Sequence, residues 1–180
     1  MKRPKYIIAL VLSLVIFGMG TFMTNTFQPV KNSPHPEIAG IEGEMAKVVS
    51  VVDGDTIKVL IGQKQYTVRF IGMNTPETVD PRKPVECFGK EASNENKELL
   101  TGKQVILQKD VSETDKFGRL LRFVYLPLDN GKMLFVNDYL VREGFAEIDT
   151  IAPDVKLADQ FKSAQTQAKQ NHLGMWSKCL

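Results

Sequence analysis

MAKVVSVVDGDTIKVLIGQKQYTVRFIG, residues 45–72, decides how this chain folds. Met45 to Val52 is rich in β-branched side chains, Asp53-Gly54-Asp55 interrupts the run, and Thr56 to Leu60 resumes it. Ile61-Gly62-Gln63-Lys64 supplies a turn. Tyr66, Val68 and Phe70 then alternate with Thr67, Arg69 and Ile71 as far as Gly72. β-Branched and aromatic residues at period two, punctuated by Asp-Gly and Gly signals, predict three consecutive strands. Thr75-Pro76 ends the third, because proline has no N–H to give a central ladder.

Downstream, Glu86 to Leu100 holds alanine, leucine and charged residues in helical order, with Phe88, Ala92 and Leu99 expected inside and Gly102 as the stop. Gln104 to Gln108 and Leu120 to Leu126 read as two further strands, joined by a polar loop carrying Asp115 to Arg119. Val136 to Glu143 reads as a short helix closed by Gly144. Asp154 to Asn171 reads as a longer amphipathic helix burying Val155, Leu157, Phe161, Ala164 and Ala168. Five short strands with a helix after the third predict an α+β, mainly β fold: a five-stranded barrel of the OB type with about three packed helices. Such barrels bind ligands on one face and in the loops between strands, where the polar residues of this chain collect.

Upstream, Met1-Lys2-Arg3-Pro4-Lys5 precedes an uncharged apolar run from Tyr6 to Met23. A basic start before such a run predicts a signal peptide or an uncleaved membrane anchor over residues 1–27, and hence export to the cell exterior or to the outer face of the membrane. Residues 28–43 hold Pro29, Pro34 and Pro36 and read as a proline-rich linker, leaving 44–180 as one ordinary domain. Two cysteines in an exported chain, Cys87 and Cys179, predict one disulfide, the alternative being two independent thiols. The formal charge is +2, but without Lys2, Arg3 and Lys5 the balance is 20 basic against 21 acidic residues. A protein that coats nucleic acid through a global positive field is excluded by that balance. Any nucleic-acid chemistry must use a local site.

Such a site is written into the loops. Asp53-Gly54-Asp55, Arg69, Asn74-Thr75-Pro76-Glu77 and Arg119 combine hard oxygen donors with two guanidinium forks and a glutamate fixed by the preceding proline. Calcium prefers oxygen ligands, and planar donor forks suit phosphate oxygens. The set suits metal-assisted attack on a phosphodiester and has no use on an apolar substrate. Arg122, two residues beyond Arg119, is the rival for the second phosphate contact.

Val52-Asp53-Gly54-Asp55-Thr56-Ile57, Val68-Arg69-Phe70-Ile71-Gly72, Thr75-Pro76-Glu77-Thr78, Phe88-Gly89-Lys90-Glu91-Ala92-Ser93 and Thr114-Asp115-Lys116-Phe117-Gly118-Arg119 together resemble the staphylococcal nuclease (thermonuclease) family, in order and spacing, from Met45 to Trp176. The resemblance implies an OB-fold, a calcium ion, and endonucleolytic hydrolysis of DNA and RNA to 3′-phosphorylated products. It implies that Asp55, Asn74 and the Thr75 backbone carbonyl hold the calcium, that Glu77 acts on the attacking water, and that Arg69 and Arg119 bind the scissile phosphate. Lys116 and Phe117 are expected at the substrate, and the enzyme is expected to be a monomer. Two departures bear on function: Asn74 stands where well-studied members have aspartate, and residues 148–152 lack tyrosines that some members place beside the nucleotide. Two other readings compete, a catalytically silent OB module binding nucleic acid or a protein, and an adhesion domain using calcium structurally. A silent copy is expected to have lost Glu77 or an arginine, and an adhesion domain leaves Arg69 and Arg119 without a role.

Overall fold

The computed structural model describes residues 37–38, 41–78 and 84–179 of the chain. The expectations for residues 1–27 lie outside the described residues. The sheet strands are β1 (Glu37–Ile38), β2 (Glu44–Val51), β3 (Thr56–Ile61), β4 (Lys64–Phe70), β5 (Gly72–Asn74), β6 (Gln104–Gln108), β7 (Leu120–Pro127), β8 (Met133–Phe135) and β9 (Glu147–Asp149). The helices are α1 (Gly89–Leu100), α2 (Val136–Arg142), α3 (Ala158–Gln170) and the single turn α4 (Met175–Lys178). Within the span read as linker, β1 pairs with β8.

Strands β7, β4, β3, β2 and β6 pair in that order, and β6 returns to pair with β7, which closes a five-stranded barrel. All neighbours are antiparallel except β4 and β7. A register shift between Val48 and Ser50 lets β2 bend, so one strand can serve both β3 and β6. The period of two read from the sequence sends Val48, Ile57, Val59, Val68 and Phe70 inward. The same period turns Arg69, between Val68 and Phe70, to the opposite side. The barrel and the helices α1, α2 and α3 form the OB-type architecture expected.

Helix α3 covers the barrel through Phe161, whose ring lies 6.2 Å from that of Phe123 and 5.8 Å from that of Phe135. At Gly72 (φ +81°) a Cβ would stand 2.3 Å from the Phe161 ring, so only glycine permits this approach. Asn137, fully buried, clamps the chain just after β4. Its Nδ2 donates to the Ile71 carbonyl (3.0 Å) and its Oδ1 accepts from Val124 N–H (2.8 Å).

Two helix starts differ from expectation, each because a side chain has other employment. Helix α1 begins at Gly89 rather than Glu86, since Phe88 is left-handed (φ 66°) and Glu86 is bonded to Glu77. Its buried residues are Gly89, Ala92, Ser93, Asn96 and Leu100, so the inner face is rotated from the Phe88–Ala92–Leu99 stripe expected. Helix α3 begins at Ala158 rather than Asp154, because the Asp154 carboxylate accepts from Val111 N–H (2.9 Å) and Ser112 N–H (2.8 Å). Val155 is consequently exposed. Cys87 and Cys179 form the disulfide, with their Cα atoms 5.8 Å apart, and the alternative of independent thiols is set aside.

Candidate active site

The β3–β4 hairpin pairs Thr56 with Arg69, which sets the guanidinium beside the Asp53–Asp55 turn. Asp55 is 2% exposed and its carboxylate is fully engaged. Oδ1 accepts the Thr56 hydroxyl (2.9 Å) and pairs with the Arg69 guanidinium. Oδ2 accepts both the N–H and the hydroxyl of Thr75, each at 3.0 Å. Gly54 makes room for this, because a Cβ there would lie 2.6 Å from the Thr75 methyl. Arg69 Nη2 also donates to Asn74 Oδ1 (2.9 Å) and to the Met73 carbonyl (3.4 Å). Asp55, Arg69, Asn74 and Thr75, scattered over twenty residues of sequence, thus form one connected network.

Asp53 holds the turn: its Oδ1 accepts the Asp55 N–H at 3.1 Å. Burial pushes its carboxyl above the ordinary aspartate value against the pull of Arg69, and the charge of Glu77 adds to the rise. Glu77 therefore stands within electrostatic reach of the turn. Its backbone is held from both directions, with its N–H on Glu86 Oε2 (2.9 Å) and its carbonyl accepting from Glu86 N–H (2.9 Å). Its own Oε1 accepts the Thr78 N–H at 2.8 Å.

Arg119 is aimed by Asp115. Asp115 Oδ1 accepts the N–H groups of Phe117 and Arg119 (2.9 Å each), and Oδ2 accepts Arg119 Nε (2.6 Å). Burial alone would raise the Asp115 carboxyl, but the hydrogen bonds from Arg119 and Phe117 outweigh it and hold the group below the usual value. The guanidinium lies 5.5 Å from the centre of the Phe117 ring, with the Lys116 ammonium at 5.1 Å from it, and that ring is 72% exposed. A solvent-facing aromatic flanked by cations offers a stacking surface for a base. Burial first, and then the like charge of Arg119, lower the Arg69 guanidinium from its ordinary value. The two arginines therefore stand within electrostatic reach of each other. Asp149 lies within the same field and was not singled out from sequence. It reaches the site because β9 pairs with β5. Arg122 is removed as a rival: it is buried, bonded to the Glu113 and Leu121 carbonyls (3.1 and 2.8 Å) and ion-paired with Glu113.

Asn96, missed by sequence reasoning, supports the turn from below. Its Nδ2 donates to the carbonyls of Gly54 (3.1 Å) and Asp53 (3.3 Å). The available signal was a carboxamide in the buried phase of α1, which a hydrophobicity pattern discards.

Among the described residues no group of three His, Cys, Asp or Glu side chains is arranged to hold a metal ion. The candidate donors are instead the Asp55 carboxylate, the Asn74 carboxamide and the Thr75 carbonyl, an oxygen-only set of the kind calcium takes when water completes its shell of about six to eight ligands. These residues fit a hard cation, and Arg69 at present meets the charge of Asp55 that the cation would meet.

The family model described as "Staphylococcal nuclease homologue" matches residues 67–178. The chain is 37% identical over 177 residues to a thermonuclease of Staphylococcus hyicus, covering 98% of this chain and 99% of that protein. It is 38% identical over 138 residues to a thermonuclease of Staphylococcus intermedius, covering 77% and 79%. With endonuclease YncB of Bacillus subtilis (strain 168) it shares 40% identity over 129 residues, 71% of this chain and 59% of that protein.

Proposed function

The chain belongs to the staphylococcal nuclease family and is a nuclease, a phosphodiesterase, and from that premise we propose that it is an exported, calcium-dependent endonuclease that cleaves DNA and RNA to 3′-phosphorylated products. The observation that carries this reading is the convergence of Asp55, Arg69, Asn74 and Thr75 in one hydrogen-bonded network, with Arg119, held by Asp115, within electrostatic reach of Arg69.

Calcium on Asp55, Asn74 and the Thr75 carbonyl would supply Lewis-acid polarisation of a phosphoryl oxygen. The protein's own residues do the rest. Glu77, fixed by Pro76 and the Glu86 clamp, takes a proton from water as the oxygen–phosphorus bond forms. Arg69 and Arg119 donate to the phosphoryl oxygens as charge gathers on them in the transition state. The bond from phosphorus to the 5′ oxygen breaks, the departing oxygen collects a proton from solvent, and the phosphate stays on the 3′ side. Lys116 and Phe117 meet the flanking nucleotide. Export is supported by the basic and apolar leader and by a cross-link of the sort that persists in oxidising compartments.

The test is digestion of plasmid DNA and of RNA by the full chain with calcium, with magnesium and with chelator, alongside calorimetric titration of calcium into the protein. Cleavage should require calcium and stop with chelator. Magnesium should support less, because it demands a tight octahedron and sheds water reluctantly. Undiminished cleavage in chelator, or no heat of calcium binding, overturns the calcium assignment.

A further inference from the structure

Helix α1 segregates its charges by phase. Lys90, Ser93, Asn94 and Lys97 recur at i, i+3, i+4 and i+7 and share one face, while Glu91, Glu95 and Glu98 share another. On the acidic face Glu95 Oε1 accepts the hydroxyl of Tyr139 in α2 at 2.6 Å, while Glu91 and Glu98 are exposed. The basic face instead borders a groove whose other wall is Val52 and Thr78. Val52 immediately precedes the Asp53–Asp55 turn and Thr78 immediately follows Glu77, so the groove runs out from both loops of the candidate active site. Among the described residues neither Lys90 nor Lys97 is paired with a carboxylate.

We propose that this groove is a second binding subsite, taking phosphates of the same nucleic-acid strand beyond the one being cleaved. It rests on the nuclease reading and extends it to polymeric substrates. Lys90 and Lys97 are separated by about 10 Å along the helix axis, at 1.5 Å per residue. Two ammonium groups so spaced meet different phosphates rather than one. Lysine suits this use because a point charge on a flexible stem follows a mobile backbone without demanding one geometry. The near-neutral charge of the domain gives such a local stripe its value. With no global field to hold a long strand, affinity for polymer must come from cations placed beside the reaction centre.

The test compares the full chain with Lys90→Glu/Lys97→Glu and with Lys58→Glu/Lys162→Glu, which makes the same charge change at exposed sites on β3 and α3. Anisotropy of a fluorescent single-stranded 16-mer in chelator, over a salt series, reads binding without cleavage. Steady-state kinetics with calcium, on a long strand and on a dinucleotide, read the consequence. The α1 variant should weaken 16-mer binding at least tenfold and flatten the salt slope by about 0.7 for each phosphate that is no longer neutralised. It should raise KM for the long strand far more than for the dinucleotide, with circular dichroism unchanged. The Lys58/Lys162 variant should track the unaltered protein. Equal effects from both double variants, no effect from either, or equal weakening of dinucleotide and polymer would each overturn the subsite. Lys90- and Lys97-dependent binding without cleavage by the unaltered protein would instead remove the nuclease mechanism and leave the groove standing. Normal cleavage with unchanged binding in the α1 variant would remove the groove alone.

Discussion

Asn74 accepts a hydrogen bond from Arg69 at a place where the resemblance sets an aspartate, so the candidate calcium site has lost one negative charge but kept an oxygen of the same reach. Asn74→Asp should tighten calcium binding by about tenfold, or 1.4 kcal/mol, measured calorimetrically. The gain is held to that order because the new carboxylate also strengthens the grip on Arg69, which a cation must displace from Asp55. An unchanged dissociation constant would place Asn74 outside the coordination shell. Glu77→Gln should cut kcat by about 10²–10⁴ and Arg119→Ala by about 10²–10³, each with an intact fold. Near-normal turnover in either, with unaltered circular dichroism, would strip that residue of its proposed role. Arg119 and Arg122 illustrate the limit of reading at this scale. Arg119 immediately precedes β7 and Arg122 is its third residue, and what separates them is the hold of Asp115 on Arg119 and the burial of Arg122 against Glu113.

At the scale of elements, α1 is a support for the Asp53–Asp55 turn as well as part of the shell. Its buried Asn96 carboxamide donates to the carbonyls of Gly54 and Asp53 in that turn. Asn96→Ala should cost about 1–3 kcal/mol in urea unfolding, the penalty for leaving a buried polar group unmet. It should also weaken calcium binding, because the turn that presents Asp55 loses its anchor. Loss of stability with unaltered calcium affinity would confine Asn96 to the fold. The loop before α3 makes a pH-dependent contribution through Asp154. Burial opposes its charge, but the hydrogen bonds from Ser112 and Val111 outweigh that and depress the folded-state value. A depressed carboxylate stabilises the fold above its unfolded value of about 4, and the contribution is lost as pH falls through the folded value. Asp154→Asn should therefore lower the urea midpoint at pH 7, and its deficit relative to the unaltered protein should shrink toward pH 3. A deficit independent of pH would show that packing and not charge holds this loop.

At the scale of the whole molecule, the Cys87–Cys179 bridge spans 92 residues and ties the entrance of α1 to the chain end beyond α4. The chain-entropy estimate for a loop of that length is on the order of 4–5 kcal/mol, an upper figure because unfolded chains retain structure. Cys87→Ser/Cys179→Ser should lower the urea midpoint, and reductant should lower the midpoint of the unaltered protein toward the same value while leaving the variant where it is. Coincident unfolding curves for the oxidised protein and the variant would show that the bridge adds nothing. The bridge lies next to the Glu86 clamp on Glu77, so its loss is expected to loosen that loop first.

The local pattern determined the five barrel strands and the existence of α1, α2 and α3. Period-two alternation around Val68 and Phe70, with Pro76 as a stop, leaves little choice for a half-buried segment, and β6 runs from Gln104 to Gln108 as read. Asp55, Arg69, Glu77 and Arg119 were legible as a set, through the family resemblance and the combination of oxygen donors with guanidinium forks, and not from any one of them alone. Strands of three residues, β5, β8 and β9, were illegible because they are too short to show a period and exist only through their partners. On the inner face of α1 Ala92 was legible but Asn96 was not, since its carboxamide donates to carbonyls more than forty residues away in the chain. Which arginine is buried against Glu113 and which is held by Asp115, and how β9 brings Asp149 within electrostatic reach of Arg69, were decided by strand pairing and burial. These depend on contacts between residues distant in sequence, and no local propensity encodes them.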